Sequence, residues 1–153
     1  MPLVYSTFDS GLIAALVRLC DAYLKNLGDD FSSDVVNQME VQTMRYPLVI
    51  VSPTEIEEMV YQSGHYRVGV EFGINVDMDI GSPQQMENLA GAVLDFLQQT
   101  DLIQQLNTVT DDTGRALCVV QLVTIEQSRL EDIGDRKWRR VLVVDFLGHA
   151  PLS

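Results

Sequence analysis

The residues best placed to do chemistry lie in the stretch "DRKWRR", 135–140. It holds four of the chain's ten lysines and arginines, Arg136, Lys137, Arg139 and Arg140, within five positions ahead of an apolar run, "VLVVDF". One chemistry for such a cluster is metal-dependent phosphodiester cleavage. There an upstream acid and an Asp-x-Lys hold a divalent cation, and the lysine stabilises the developing negative charge. Asp135 and Lys137 have that spacing, and Asp111 or Asp112 would be the upstream acid. However, the upstream pair lies in a turn-rich segment, the Asp-x-Lys straddles a loop-to-strand boundary, and a net charge of −12 repels DNA. The nuclease reading is therefore weak. The other chemistry is docking. In a strand Lys137 and Arg139 point one way and Trp138 and Arg140 the other, so the cluster surrounds the strand end. Trp138 among cations hints at base stacking, but residues 77–135 carry eleven acids and two bases, a net of −9. A basic strand end thus has an acidic surface to meet, on its own subunit or on the next copy. The expected contact set is Arg136, Lys137, Trp138, Arg139 and Arg140, with Arg129, Glu131, Asp132, Asp77 and Asp79 around it.

Other site chemistry is sparse. Asp77 and Asp79 share a strand face and could approach a divalent cation, but outward positions charged for solubility explain them more simply. Asp111-Asp112 reads as turn chemistry. The chain's two histidines, His65 and His149, have no Cys or His neighbour at zinc-ligand spacing. There is no glycine-rich phosphate loop, nucleophile elbow or dinucleotide fingerprint. No catalytic residue, cofactor or metal is expected. Cys20 and Cys118 fall inside a helix and a strand and read as buried thiols in a reducing compartment.

The elements that must position these groups follow from periodicity. Residues 10–27 predict an amphipathic helix with Ser10 as N-cap and Gly28 as its stop. Residues 29–45 are mixed and polar and read as loop or short extended pieces. "LVIV", 48–51, is a short strand closed on both sides by proline, and "TEIEEMVYQSGH" a connection with one helical turn. From 66 to 80 every even position is apolar and every odd one polar, charged or glycine, which predicts one buried and one wet face. Fifteen extended residues would reach about 50 Å, so Gly69 and Gly73 should bend this strand or one end should project. Ser82 caps a helix that starts at Pro83 and buries Met86, Leu89, Ala90, Val93, Leu94 and Leu97. A lesser helix follows over 101–107. Residues 116–126 and 141–144 are strands apolar on both faces, joined by a long hairpin loop, 127–135, that ends in a Gly134-Asp135 turn.

At 153 residues and 46% apolar composition, the chain suggests one globular domain spanning 1–153. No run of eighteen apolar residues predicts a membrane span, and "MPLVYSTFDSG" does not read as a signal peptide. The fold class is α+β: a mainly antiparallel sheet with two principal helices on one face, in the order α-β-β-α-β-β. The opposite face then needs cover, and self-association is the simplest source.

This order and texture resemble the tail terminator proteins of long-tailed, siphophage-type bacteriophages, the lambda tail-terminator group. The resemblance spans roughly 10–148. It rests on the N-terminal helix, "MRYPLVIVSP", the alternating strand "YRVGVEFGINVDMD", the helix "PQQMENLAGAVLDFLQQ" and the final "ALCVVQLVTIEQSRLEDIGDRKWRRVLVVDF". It implies a structural virion protein, not an enzyme: a homo-oligomeric ring, a hexamer in that family, assembled in the host cytoplasm. The ring would end polymerisation of the tail tube at its head-proximal end and join tail to head. The implied partners are the tail tube protein and a head-connector or neck protein, with DNA only as passing cargo and no membrane. A head-completion or neck adaptor of the phage connector is the alternative.

Overall fold

The computed structural model describes residues 7–28, 33–38, 45–60 and 63–151. The chain runs α1 (Phe8–Leu27), β1 (Asp34–Asn37), β2 (Leu48–Glu58), β3 (His65–Asp77), α2 (Pro83–Leu97), α3 (Leu102–Thr108), β4 (Val119–Gly134) and β5 (Lys137–His149). The strands form one mixed sheet in the order β1-β2-β3-β5-β4. Its one parallel pair is β1–β2; the other three neighbours are antiparallel. The α+β class agrees with the sequence, and the expected antiparallel sheet is matched in part, at three of the four described strand pairs. The order differs: a further strand, β1, comes from the segment read as loop or short extended pieces. Four residues with no alternation leave no period to detect.

The helices pack on one sheet face because three apolar stripes meet there. Leu12, Leu16, Cys20 and Leu24 of α1, Met86, Leu89, Val93 and Phe96 of α2, and Leu102 and Leu106 of α3 share a core with Val68, Val70, Phe72, Ile74 and Val76 of β3 and with Leu142, Val144 and Phe146 of β5. Phe72, Phe96 and Phe146 are fully buried, and Phe96 meets the Tyr23 ring at 5.6 Å. α2 begins as expected, with the Ser82 hydroxyl accepting from the Gln85 amide at 3.1 Å. α1 begins earlier than expected, at Phe8. Ser10 is not its cap but donates its hydroxyl back to the Thr7 carbonyl at 3.1 Å. Among the described residues no helix is long and apolar enough to cross a membrane.

Four strands depart from their expected bounds. β2 runs to Glu58, through Pro53, where a connection with a helical turn was expected. Its register shifts between Pro53 and Glu55, and β1 pairs only with 48–51, so Pro53 lies where β2 has become an edge and no donor is needed. β3 stops at Asp77, and residues 78–80 leave the strand as a turn. β4 continues through the expected hairpin loop to Gly134, and β5 starts at Lys137. The hairpin therefore closes in two residues, Asp135 and Arg136, both left-handed (φ 53° and 59°), as a twisted two-residue turn requires. The expected Gly134-Asp135 turn is shifted by one residue.

The wet face expected of β3 is also only partly wet. Gly69, Gly73 and Asn75 point away from the helices and are buried. A Cβ on Gly73 would lie 3.1 Å from the Arg139 Cδ, so that side chain lies across the glycine. Asn75 donates to the Leu48 and Gly73 carbonyls at 3.2 and 2.9 Å. Long side chains with apolar stems thus close over the middle of this face.

Candidate assembly surface

Ion pairing governs where the basic cluster lies. Arg129, on β4, donates to Glu131 at 2.7 Å and to Glu71 of β3 at 2.9 Å, spanning three strands on the face away from the helices. The Arg139 Nε lies 3.6 Å from the same Glu131, an ion pair beyond hydrogen-bond reach. Beneath this network Val141 is only 1% exposed, although it lies on the face away from the described helices. The Arg129 hydrogen bond holds the Glu131 carboxyl below the usual carboxylate range, while Glu131 and Glu71 raise the guanidinium further. Arg67 extends the pattern, bridging Glu57 at 3.0 Å and Asp145 at 3.9 Å.

The remaining cations diverge from the hairpin end. Arg136 pairs with Asp79 at 2.9 Å, and its carbonyl accepts from the Met78 amide at 2.9 Å. Asp77 accepts from the Asp79 amide at 2.9 Å, which fixes the turn after β3. Asp132 accepts from the Gly134 amide at 2.9 Å and so shapes the hairpin turn. The Lys137 ammonium lies 5.8 Å from the centre of the Tyr46 ring, within cation–π reach. Trp138 is half-buried against the core, and Arg140, on the helix side, reaches Glu87 of α2 at 2.7 Å. The structure thus brings all ten residues of the contact set onto the β4–β5 hairpin and the turn beside it. It also pairs Arg129, Arg136 and Arg140 with carboxylates of the same subunit, while Arg139 is ion-paired to Glu131 with its buried Nε left without a hydrogen bond.

The nuclease constellation is not assembled. Asp111 accepts from Thr113 and Arg115 in a tight turn before β4, and its hydrogen bond from the Thr113 hydroxyl lowers its pKa. Asp135 and Lys137 lie beyond the other end of the sixteen-residue β4. No group of three or more His, Cys, Asp or Glu side chains is placed to hold a metal among the described residues. Burial pushes both thiols up to about 12, leaving neither as an available nucleophile at neutral pH.

What sequence reasoning missed is an open edge. β4 ends the sheet order, so one side of its sixteen-residue backbone has no strand partner among the described residues. Leu122, on the outer face, is 54% exposed, and Leu130, on the helix side, is 49% exposed. Between β4 and α2 runs a groove of about 500 Å³ lined by Ala90, Leu94, Ile125 and Leu142, with Glu87 and Arg140 at one end. A second, of about 570 Å³, continues it toward α3 along Leu97, Ile103 and Val123. The signal was weak: the register shift at Glu126 moves the helix-side positions from Val123 and Ile125 to Ser128, Leu130 and Asp132, and only Leu130 of these is apolar. No protein-family model matches the chain, and no curated protein matches it significantly.

Proposed function

We propose that this chain is a structural virion protein, a tail terminator whose copies close into a ring on the head-proximal end of a phage tail tube. The observation that carries the reading is the open β4 edge. Sixteen residues of strand end the sheet with half-exposed leucines on both faces, beside an apolar groove that α2 and α3 leave unfilled. An unpaired edge of this length invites another chain, and a second copy is the commonest cover for such a surface. Charge supports the reading in a different way from the one expected. The basic cluster is largely neutralised by its own subunit, so contact between copies rests on the apolar edge. The surplus of acids then lets DNA pass the ring without sticking.

Light scattering of the purified chain at micromolar concentration tests this directly, with negative-stain images of the same sample. The expected result is an annular homo-oligomer, a hexamer by the resemblance. A strictly monomeric species would overturn the proposal. Binding to a tail tube protein, and not to a portal complex, separates the terminator from a head-side neck adaptor.

A further inference from the structure

The chain has two histidines, 84 positions apart in sequence. The fold sets them directly opposite one another, His65 at the start of β3 and His149 at the end of β5. Their ring centres are 4.7 Å apart with planes at 59°. Each Nδ1 faces a backbone carbonyl: Ser63 at 3.4 Å for His65 and Ala150 at 2.7 Å for His149. A carbonyl only accepts, so in the neutral form of either ring the proton belongs on Nδ1 and the lone pair on Nε2. A carbonyl behind the far nitrogen is also the arrangement that orients a metal-binding imidazole and raises its basicity.

We propose that His65 and His149 form a two-imidazole site for a divalent transition ion of the copper and zinc class. Borderline ions of this kind favour imidazole nitrogen, whereas magnesium and calcium favour oxygen. A metal bonds each nitrogen at about 2.0–2.1 Å. The broad χ2 torsion of histidine lets two rings already in contact converge to that distance. Both residues are half-buried at the strand ends, so water can complete the coordination. The ion would clamp the start of β3 to the end of β5. The site is independent of ring formation and requires nothing from another copy.

The test uses the full chain without a histidine tag. Calorimetric titration with copper, zinc and magnesium salts should give one saturable site per chain for copper and zinc, copper the tighter, and none for magnesium. Affinity should fall as the solution is acidified, because ligating imidazoles must be deprotonated. His65→Gln and His149→Gln should each weaken binding by more than the roughly 10–100-fold that loss of an outer-shell partner costs. Electron paramagnetic resonance of the copper-loaded parent chain, which needs no variant, should show two equivalent nitrogens, reduced to one in either variant. Absence of saturable binding, a one-nitrogen spectrum from the parent chain, or parent-like affinity in either variant would overturn the site.

Discussion

Replacing Leu122 and Leu130 together by alanine separates the role of the β4 edge in assembly from its role in folding. Leu122 is 54% and Leu130 49% exposed, so about half of each side chain is still in water in a single subunit. Full burial of a leucine is worth about 1.5–3 kcal/mol, which leaves about 1 kcal/mol per residue for a neighbouring copy to gain. The double variant should therefore lose about 2 kcal/mol per contact, roughly a 30-fold weaker association at about 1.4 kcal/mol per factor of ten. The halves already buried predict a separate loss of about 2 kcal/mol from the fold, or roughly 4–8 °C in unfolding midpoint for a chain of this size. A dilution series followed by light scattering reads the first effect, and a thermal melt reads the second. Should the melting temperature drop while the dissociation midpoint stays put, the leucines contribute only to the subunit, and the edge is not the contact between copies.

Three further outcomes follow from packing and charge. Arg129→Ala should destabilise the fold by about 1 kcal/mol or less, since the pairs are partly exposed and screened by salt. Because the folded Glu131 carboxyl lies below its ordinary 4.5, that contribution is complete above this pH and is lost as pH falls below it. Parent and variant melts should therefore converge in acid. Gly148→Ala would drive a methyl group into the Val119 carbonyl and the Phe8 ring, and overpacking of this kind costs about 1–3 kcal/mol, read as a lower denaturant midpoint at unchanged slope. Cys20 and Cys118, with thiols held protonated to about 12, should resist a thiol-reactive dye at pH 8 in the native protein and react at once in denaturant.

The parts of the fold legible in the sequence were those with a long, clean period. α2 could be read to its cap because Ser82, Pro83 and the apolar spacing agree, and the core face of β3 because five alternate residues from Val68 to Val76 are apolar. The wet face of β3 was misjudged for a reason that single-strand patterning cannot register. What covers Gly73 is Arg139, a residue 66 positions away, and what covers Val141 is a network of charged side chains. The far half of β4 was hidden by its composition: "SRLED" looks like loop, yet Arg129 reaches Glu71 of β3, Glu131 faces Arg139 of β5, and Asp132 accepts from the Gly134 amide of the hairpin turn. For the contact set, the sequence located the cations but not their partners. It pointed to the hairpin as the place of interest, and the structure moved the emphasis from its basic tip to its apolar rim.

β4 lays sixteen residues against thirteen of β5, and the surplus is absorbed at three register shifts, around Gln121, Glu126 and Ile133. Each irregularity bends the strand and interrupts the even spacing of its donors and acceptors. A border notched in this way is a poor template for indiscriminate fibre growth, which thrives on straight, monotonous ladders. It favours a visitor whose own kinks match the notches, or one short enough to fit between them. The same three extra residues that lengthen the strand therefore make its open margin selective.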